Sequence, residues 1–293
     1  MDLGEGCPAA MILPTMFRGL LAVALTGLFA VRAGSVTIRG SDTMVVLTQR
    51  WAETYMAGHP EVAIQVNGGG TGTGFAALQN GSTDICNASR RIRAREKENC
   101  LKAFRALPTE YRVAMDGLNI YVNAGNPVEH LCLEDLAAIF TGASRNWREF
   151  GGPDAPIILY SRENSSGTYE FFKERVLQGR DFVSTVQTLQ GTAQVLEAVS
   201  RDPLGIGYGG AAFGKGARHL RISRTRDDDP VEPSEDTVIS GRYPISRFLY
   251  CYVNPSQDRG DIAAFLRWIR AVDGQRIVRD VGYYPLPPAL RAD

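Results

Sequence analysis

The sequence predicts an α/β fold of two lobes, joined by a double-strand hinge and separated by a ligand cleft. Three observations lead there. A strand-like run, a loop of small and hydroxylated residues and a helix-like run follow one another at Gly40-Ser41-Asp42-Thr43, at Gly68-Gly69-Gly70-Thr71-Gly72-Thr73-Gly74 and at Arg162-Glu163-Asn164-Ser165-Ser166-Gly167-Thr168, each time the opening of an α/β unit. The run Arg247-Phe248-Leu249-Tyr250-Cys251-Tyr252-Val253-Asn254 echoes Asn119-Ile120-Tyr121-Val122-Asn123, so one strand leaves the first lobe and another returns to it. Finally, the roughly 260 residues that follow an N-terminal leader are too many for one small core and suit two domains of ordinary size.

Residues 1–33 read as a secretory signal peptide. Arg18 precedes an apolar run from Leu20 to Val31, and Val31-Arg32-Ala33 carries small residues at the spacing for cleavage. About 12 apolar residues fall short of the roughly 20 that span a bilayer. Beyond the leader, Val36 to Arg39 reads as a strand, and Met44, Leu47, Trp51 and Tyr55 recur at helical spacing from Thr43 to Met56. Val62 to Val66 is the next strand, and the helix opening at Phe75 closes near Asn80-Gly81. Asp84 to Ala88 is a third strand, ending at Ser89-Arg90 before a charged helix.

The second half follows the same grammar. Asp116 to Asn123 reads as one apolar strand, Leu133 to Phe140 as a helix, Ile157 to Tyr160 as a strand and Tyr169 to Leu177 as the helix behind the third loop. Thr192 to Ser200 is helical, Gly205 to Gly210 a glycine-flanked strand, and Asp227-Asp228-Asp229-Pro230 an exposed turn. Helical pattern runs from Ile262 to Val278, and Val281-Gly282-Tyr283-Tyr284-Pro285-Leu286-Pro287 follows it. The first lobe is therefore expected to be discontinuous, residues 34–120 with 246–293, and the second to be 121–245.

Composition excludes several functions. Lys and Arg number 32 against 32 Asp and Glu, whereas a nucleic-acid binder or a polybasic membrane binder carries a basic excess. His59, His130 and His219 are scattered and no CxxC occurs, so neither a metal nor another cofactor is expected. The glycine loop lacks the Gly-Lys-Ser/Thr ending of a P-loop, and no Gly-x-Ser-x-Gly elbow or placed histidine activates a serine. Binding, not catalysis, is the expectation.

The chemistry of the three loops is that of an anion receptor. A helix N-terminus presents unpaired amides and the positive end of its dipole, so three such termini converging on one point hold an anion without a metal. Ser41 and Thr43 offer hydroxyls, Thr71 and the amides around Gly72 a second set, and Ser166, Gly167 and Thr168 a third. The plain alternative is that Ser41, Asp42, Thr71 and Ser166 only cap their helices. Arg162 sits four residues before Ser166, and its planar guanidinium matches a tetrahedral oxyanion. Ser89 belongs to the cleft rim, while Arg90 either binds the anion or begins the basic face that runs to Arg95 beside Glu96 and Glu98. Four cysteines follow the leader; Cys86 and Cys251 lie in apolar runs, and Cys100 and Cys132, in polar surroundings, are the better disulfide pair.

Beyond the leader, the chain resembles the periplasmic phosphate-binding proteins of bacterial phosphate ABC transporters, which are type II periplasmic binding proteins. The residues that carry the likeness are Gly40 to Met44, Trp51-Ala52-Glu53-Thr54-Tyr55, Gly70 to Gly74, Asp84 to Arg90, Ser161 to Phe172, Gly205 to Tyr208 and Gly282 to Pro287. The resemblance implies capture of inorganic phosphate in the cleft and delivery to a membrane ABC permease. It implies ligand contacts from Ser41 to Thr43, from Thr71, and from Arg162, Ser166, Gly167 and Thr168, and it supports the Cys100–Cys132 pairing. A monomer is expected, exported to the periplasm. Many family members carry an aspartate after the third-strand serine to accept the proton of phosphate, and this chain has Arg90 there. Asp42 is the expected replacement, with Glu163 next. Readings held in reserve are another oxyanion such as sulfate or molybdate, an extracytoplasmic phosphate sensor module, and a phosphate-ester hydrolase.

Overall fold

The computed structural model describes residues 34–214 and 217–291. The expected signal peptide lies outside the described residues. In chain order the elements are β1 (Gly34–Gly40), α1 (Val45–Gly58), β2 (Val62–Asn67), α2 (Thr71–Gln79), β3 (Ile85–Ala88), α3 (Ala94–Phe104), β4 (Thr109–Gly117), β5 (Asn119–Val122), β6 (His130–Cys132), α4 (Leu133–Thr141), β7 (Ile158–Arg162), α5 (Gly167–Arg175), β8 (Gln187–Leu189), α6 (Thr192–Arg201), β9 (Gly205–Gly209), β10 (Arg218–His219), β11 (Arg221–Ser223), α7 (Glu235–Ile239), β12 (Ser246–Val253), α8 (Gly260–Arg270) and α9 (Val272–Val281).

Two five-stranded sheets organise the chain. The first has the order β2-β1-β3-β12-β4 and the second β10-β5-β9-β7-β8, with β11 and β6 paired apart. In the first sheet β1 runs parallel to both β2 and β3, and β12 is antiparallel to β3 and β4. Parallel strands joined through helices put the loops that follow the strands along one sheet edge, which is where ligands meet such sheets. The helical stripe of α1 packs as its spacing predicts: Leu47, Trp51 and Tyr55 are buried with Val36, Ile38 and Phe265, and the Trp51 indole donates to the Gly274 carbonyl at 2.8 Å. Under the second sheet Phe172 stacks on Tyr208 with ring centroids 4.1 Å apart, against Phe140.

The run Asp116 to Asn123 is not one strand. It belongs to β4, which begins at Thr109, and to β5, and the break falls at Leu118, whose amide donates to the Ile245 carbonyl at 3.0 Å. The outgoing and returning chain segments thus meet by a backbone hydrogen bond where the first sheet gives way to the second.

The Cys100–Cys132 disulfide is corrected: both are free thiols, as are Cys86 and Cys251, and all four are buried. Cys100 sits on α3 against the Gln79 side chain of α2 in the first lobe's helix layer. Cys132 ends β6 and caps α4, with its thiol donating to Asp135 Oδ2 at 3.0 Å. They belong to different layers, and each already has a local polar partner. Burial pushes the Cys132 thiol above its ordinary range, with the Asp135 hydrogen bond adding to the effect.

Candidate functional site

The loops after β1, β2, β3 and β7 converge on one cluster of buried hydroxyls. Thr43 Oγ1 lies 2.8 Å from Thr168 Oγ1, Thr168 Oγ1 lies 3.4 Å from Ser89 Oγ, and Ser89 Oγ lies 3.5 Å from Thr71 Oγ1. The Ser89 amide donates to Thr71 Oγ1 at 3.1 Å, so that threonine directs its own proton elsewhere. Thr71, Ser89 and Thr168 are fully buried, and Ser41 and Thr43 nearly so.

Glycine makes this approach possible at two points. A Cβ on Gly167 would stand 2.4 Å from Thr71 Oγ1 and 2.7 Å from Ser89 Oγ, so the third loop can press on the second only without a side chain there. Gly70 combines φ +93° with a Cβ position 2.6 Å from the Ser165 carbonyl oxygen. The same carbonyl accepts the Gly72 amide at 2.9 Å. That amide, expected among the anion donors, therefore holds the two loops together.

Capping turns out to be selective. Ser166 does cap α5, its hydroxyl accepting the amides of Thr168 at 3.2 Å and Tyr169 at 3.3 Å, which leaves the Gly167 amide outside the cap. Ser41 makes no side-chain cap, and Thr71 is no cap but the first residue of α2, which follows Gly70. Asp42 instead bridges the cleft, with Oδ1 accepting the Gly69 amide at 2.8 Å and Oδ2 accepting Arg162 Nη2 at 2.7 Å.

Arg162 is 1% exposed. It also donates from Nη1 to Thr192 Oγ1 at 2.7 Å and from Nε and Nη2 to the Gln190 carbonyl at 3.1 and 2.6 Å. These bonds engage four of its five N–H groups. Burial lowers its pKa, with Asp42 opposing, and a guanidinium remains protonated through such a shift.

Arg90 is not brought to the cluster. Its guanidinium forms a two-pronged pair with Glu96, Nη1 to Oε2 at 2.8 Å and Nη2 to Oε1 at 2.7 Å. Glu96 occupies the first turn of α3, where it also accepts the Arg93 amide at 2.8 Å. The carboxylate six residues on, held by the helix start, draws the arginine away from the cleft.

Arg247 is the residue that sequence reasoning missed. It donates to Asp116 Oδ2 from Nε at 3.0 Å and Nη2 at 2.8 Å, to the Ser89 carbonyl from Nη1 at 2.9 Å and to Thr168 Oγ1 from Nη2 at 3.0 Å. Asp116 is fully buried and takes the Ala211 amide on its other oxygen at 2.9 Å. The signal was an arginine and an aspartate standing in two apolar strand runs, which must pair if those runs are buried. Tyr283 closes the first loop from behind, its hydroxyl donating to the Thr43 carbonyl at 2.6 Å, and burial raises its pKa.

Two sheets joined at two crossovers, whose strand-end loops meet at one buried polar cluster, define the class of a two-lobed solute-binding protein, and a model of the PBP superfamily domain matches residues 30–271. The chain belongs to the PstS family of phosphate-binding proteins. It is 32% identical over 271 residues to the phosphate-binding protein PstS of Pseudomonas aeruginosa, covering 87% of this chain and 84% of the relative. With PstS of Bacillus subtilis the identity is 33% over 263 residues, covering 87% and 81%. Among solved structures, a Clostridium perfringens protein solved with bound phosphate superposes with a TM-score of 0.80 at 26% identity, covering 87% of this chain and 100% of that one.

Proposed function

We propose that this chain captures inorganic phosphate in the cleft between its lobes and delivers it to a membrane ABC permease. The observation that carries the reading is the convergence of the Thr43, Thr71, Ser89 and Thr168 hydroxyls, all nearly dry, with the buried Arg247 guanidinium on Thr168 and the buried Arg162 guanidinium on Asp42 of the first loop. Preset donors out of water suit a tetrahedral oxyanion and require little reorganisation when it arrives. The relatives support the choice, being phosphate-binding proteins by name or solved with phosphate. Their family is one of binding proteins, not of enzymes.

In this reading Ser41, Thr43, Thr71, Ser89 and Thr168 donate hydroxyl protons and Gly167 its amide. Ser166 aims the start of α5, and Arg162 supplies charge through its remaining N–H. Asp42 accepts the proton that phosphate retains near neutral pH, since two lone pairs per oxygen leave room beside the Gly69 and Arg162 donors. The lobes comprise 34–120 with 246–293 and 121–245, and closure turns about the two crossovers. The protein works as an exported monomer from which residues 1–33 have been removed.

Calorimetry of the chain from Gly34 onward, titrated with phosphate, sulfate and molybdate, tests this. One phosphate per chain and no competition from sulfate are expected. Tighter binding of sulfate or molybdate overturns the reading.

A further inference from the structure

We propose that Arg247 is a positioning residue for anion capture, fixing the Thr168 hydroxyl as a donor that faces the cluster. The proposal rests on the phosphate reading above and extends it to a residue outside the three loops. A guanidinium only donates. The Thr168 oxygen that accepts Arg247 Nη2 at 3.0 Å cannot turn its own proton toward that arginine. The proton is directed to the side on which Thr43 and Ser89 stand, 2.8 and 3.4 Å away. When a phosphate oxygen enters the cluster, Thr168 meets it as a donor without first reorienting.

The rest of the contact set holds Arg247 in place for that task. Asp116 fixes Nε and Nη2, and Asp116 is itself held by the Ala211 amide. Nη1 donates to the Ser89 carbonyl, so the same side chain locates a second member of the cluster. The guanidinium lies over the Phe171 ring at 5.1 Å, on the face of α5 that follows Thr168. A buried ion pair alone is commonly only structural. Charge compensation, however, needs only the bonds to Asp116. The bonds to Thr168 and Ser89 are additional, and both go to residues of the cluster.

The test is calorimetry with inorganic phosphate and thermal unfolding on one set of variants. The pair Asp116→Asn with Arg247→Gln removes both charges together, so no lone charge is left buried. Arg247→Lys keeps a charge opposite Asp116 but loses the fork. Each is made with threonine and with valine at position 168. With threonine, the paired replacement is expected to weaken phosphate binding roughly ten- to hundredfold. With valine the fold-loss is expected to be clearly smaller, limited to what reaches the cluster through the Ser89 carbonyl, because the Thr168 hydroxyl is gone. Arg247→Gln alone, which leaves Asp116 without its partner, completes the set; Arg247→Lys should unfold at a higher temperature than that single variant without regaining affinity. Equal fold-losses with threonine and valine, or affinities that simply follow the unfolding temperatures, overturn the role of Arg247. A parent that binds no phosphate overturns the phosphate reading as well, so the two failures are distinct.

Discussion

Asp42 takes the Gly69 amide on one carboxylate oxygen and Arg162 on the other, and its usefulness to a protonated anion depends on the lone pairs those bonds leave. Asp42→Asn removes the charge opposite a buried arginine and turns one acceptor into a donor. Phosphate affinity is expected to fall at least about tenfold, the loss of a charged hydrogen bond, and discrimination against sulfate to narrow. Sulfate competition against the parent measures it; undiminished discrimination moves the acceptor role to Glu163. Arg162→Ala is expected to cost roughly 2–5 kcal/mol of phosphate binding, since it leaves Asp42 without its partner. Arg90 provides the contrast. With its guanidinium on Glu96, Arg90→Gln should lower the stability of the α3 region by about 1–3 kcal/mol and change phosphate affinity by no more than about twofold. Chemical denaturation and calorimetry on the same sample separate the two. The sequence names most of the cluster because hydroxyls and glycines at strand ends are local signals. It does not name Arg247, because that residue acquires its meaning from Asp116, 131 positions away.

At the scale of elements, the start of α5 shows a cap that also serves the cleft. Ser166→Ala removes the acceptor of two amides and is expected to cost about 1 kcal/mol of stability, with a loss of phosphate affinity because Gly167 and Thr168 follow directly. The contact between α7 and α9 is of another kind. Glu235 accepts two hydrogen bonds from Arg279, at 2.9 and 2.8 Å, and this pairing holds its carboxyl below the usual range. A depressed folded pKa adds stability above the unfolded carboxyl value, and the gain disappears as pH falls through the folded value. Both side chains are about half exposed, so solvent screening limits the contribution to less than about 1 kcal/mol. Arg279→Gln should therefore unfold like the parent in acid and slightly more easily at neutral pH, with the gap closing in high salt; denaturant midpoints across pH check this. Strands and helices with strong periodicity, such as α1, were legible from sequence. The split of Asp116 to Asn123 into two strands was not, since apolar pattern continues through Leu118 and only the Ile245 carbonyl across from it marks the turn. Nor was the fate of Cys100 and Cys132 legible, since cysteine count and polar neighbours say nothing about which layer each thiol faces.

For the whole molecule, the closure proposed above brings the third loop against the second at Gly167. Any side chain there would strike Thr71 and Ser89, so Gly167→Ala should hold the lobes apart. Small-angle scattering in saturating phosphate is expected to give a larger radius of gyration than the parent, with an affinity loss of at least about tenfold, as overpacking costs of 1–3 kcal/mol imply. An unchanged radius and affinity would mean that the loops yield instead. The strand order of the first sheet has a further bearing, on how the polypeptide first acquires its shape. Strand β12 lies between β3 and β4, and it is made after the entire second lobe. Until residue 253 has been synthesised, β4 has no neighbour in its sheet and β3 keeps one open edge, both of them aggregation-prone templates. The first-lobe sheet of a nascent chain can therefore not be completed during synthesis of its own N-terminal half. A ribosome stalled before Ser246 would carry a protease-sensitive chain whose first lobe folds only when the last strand is supplied.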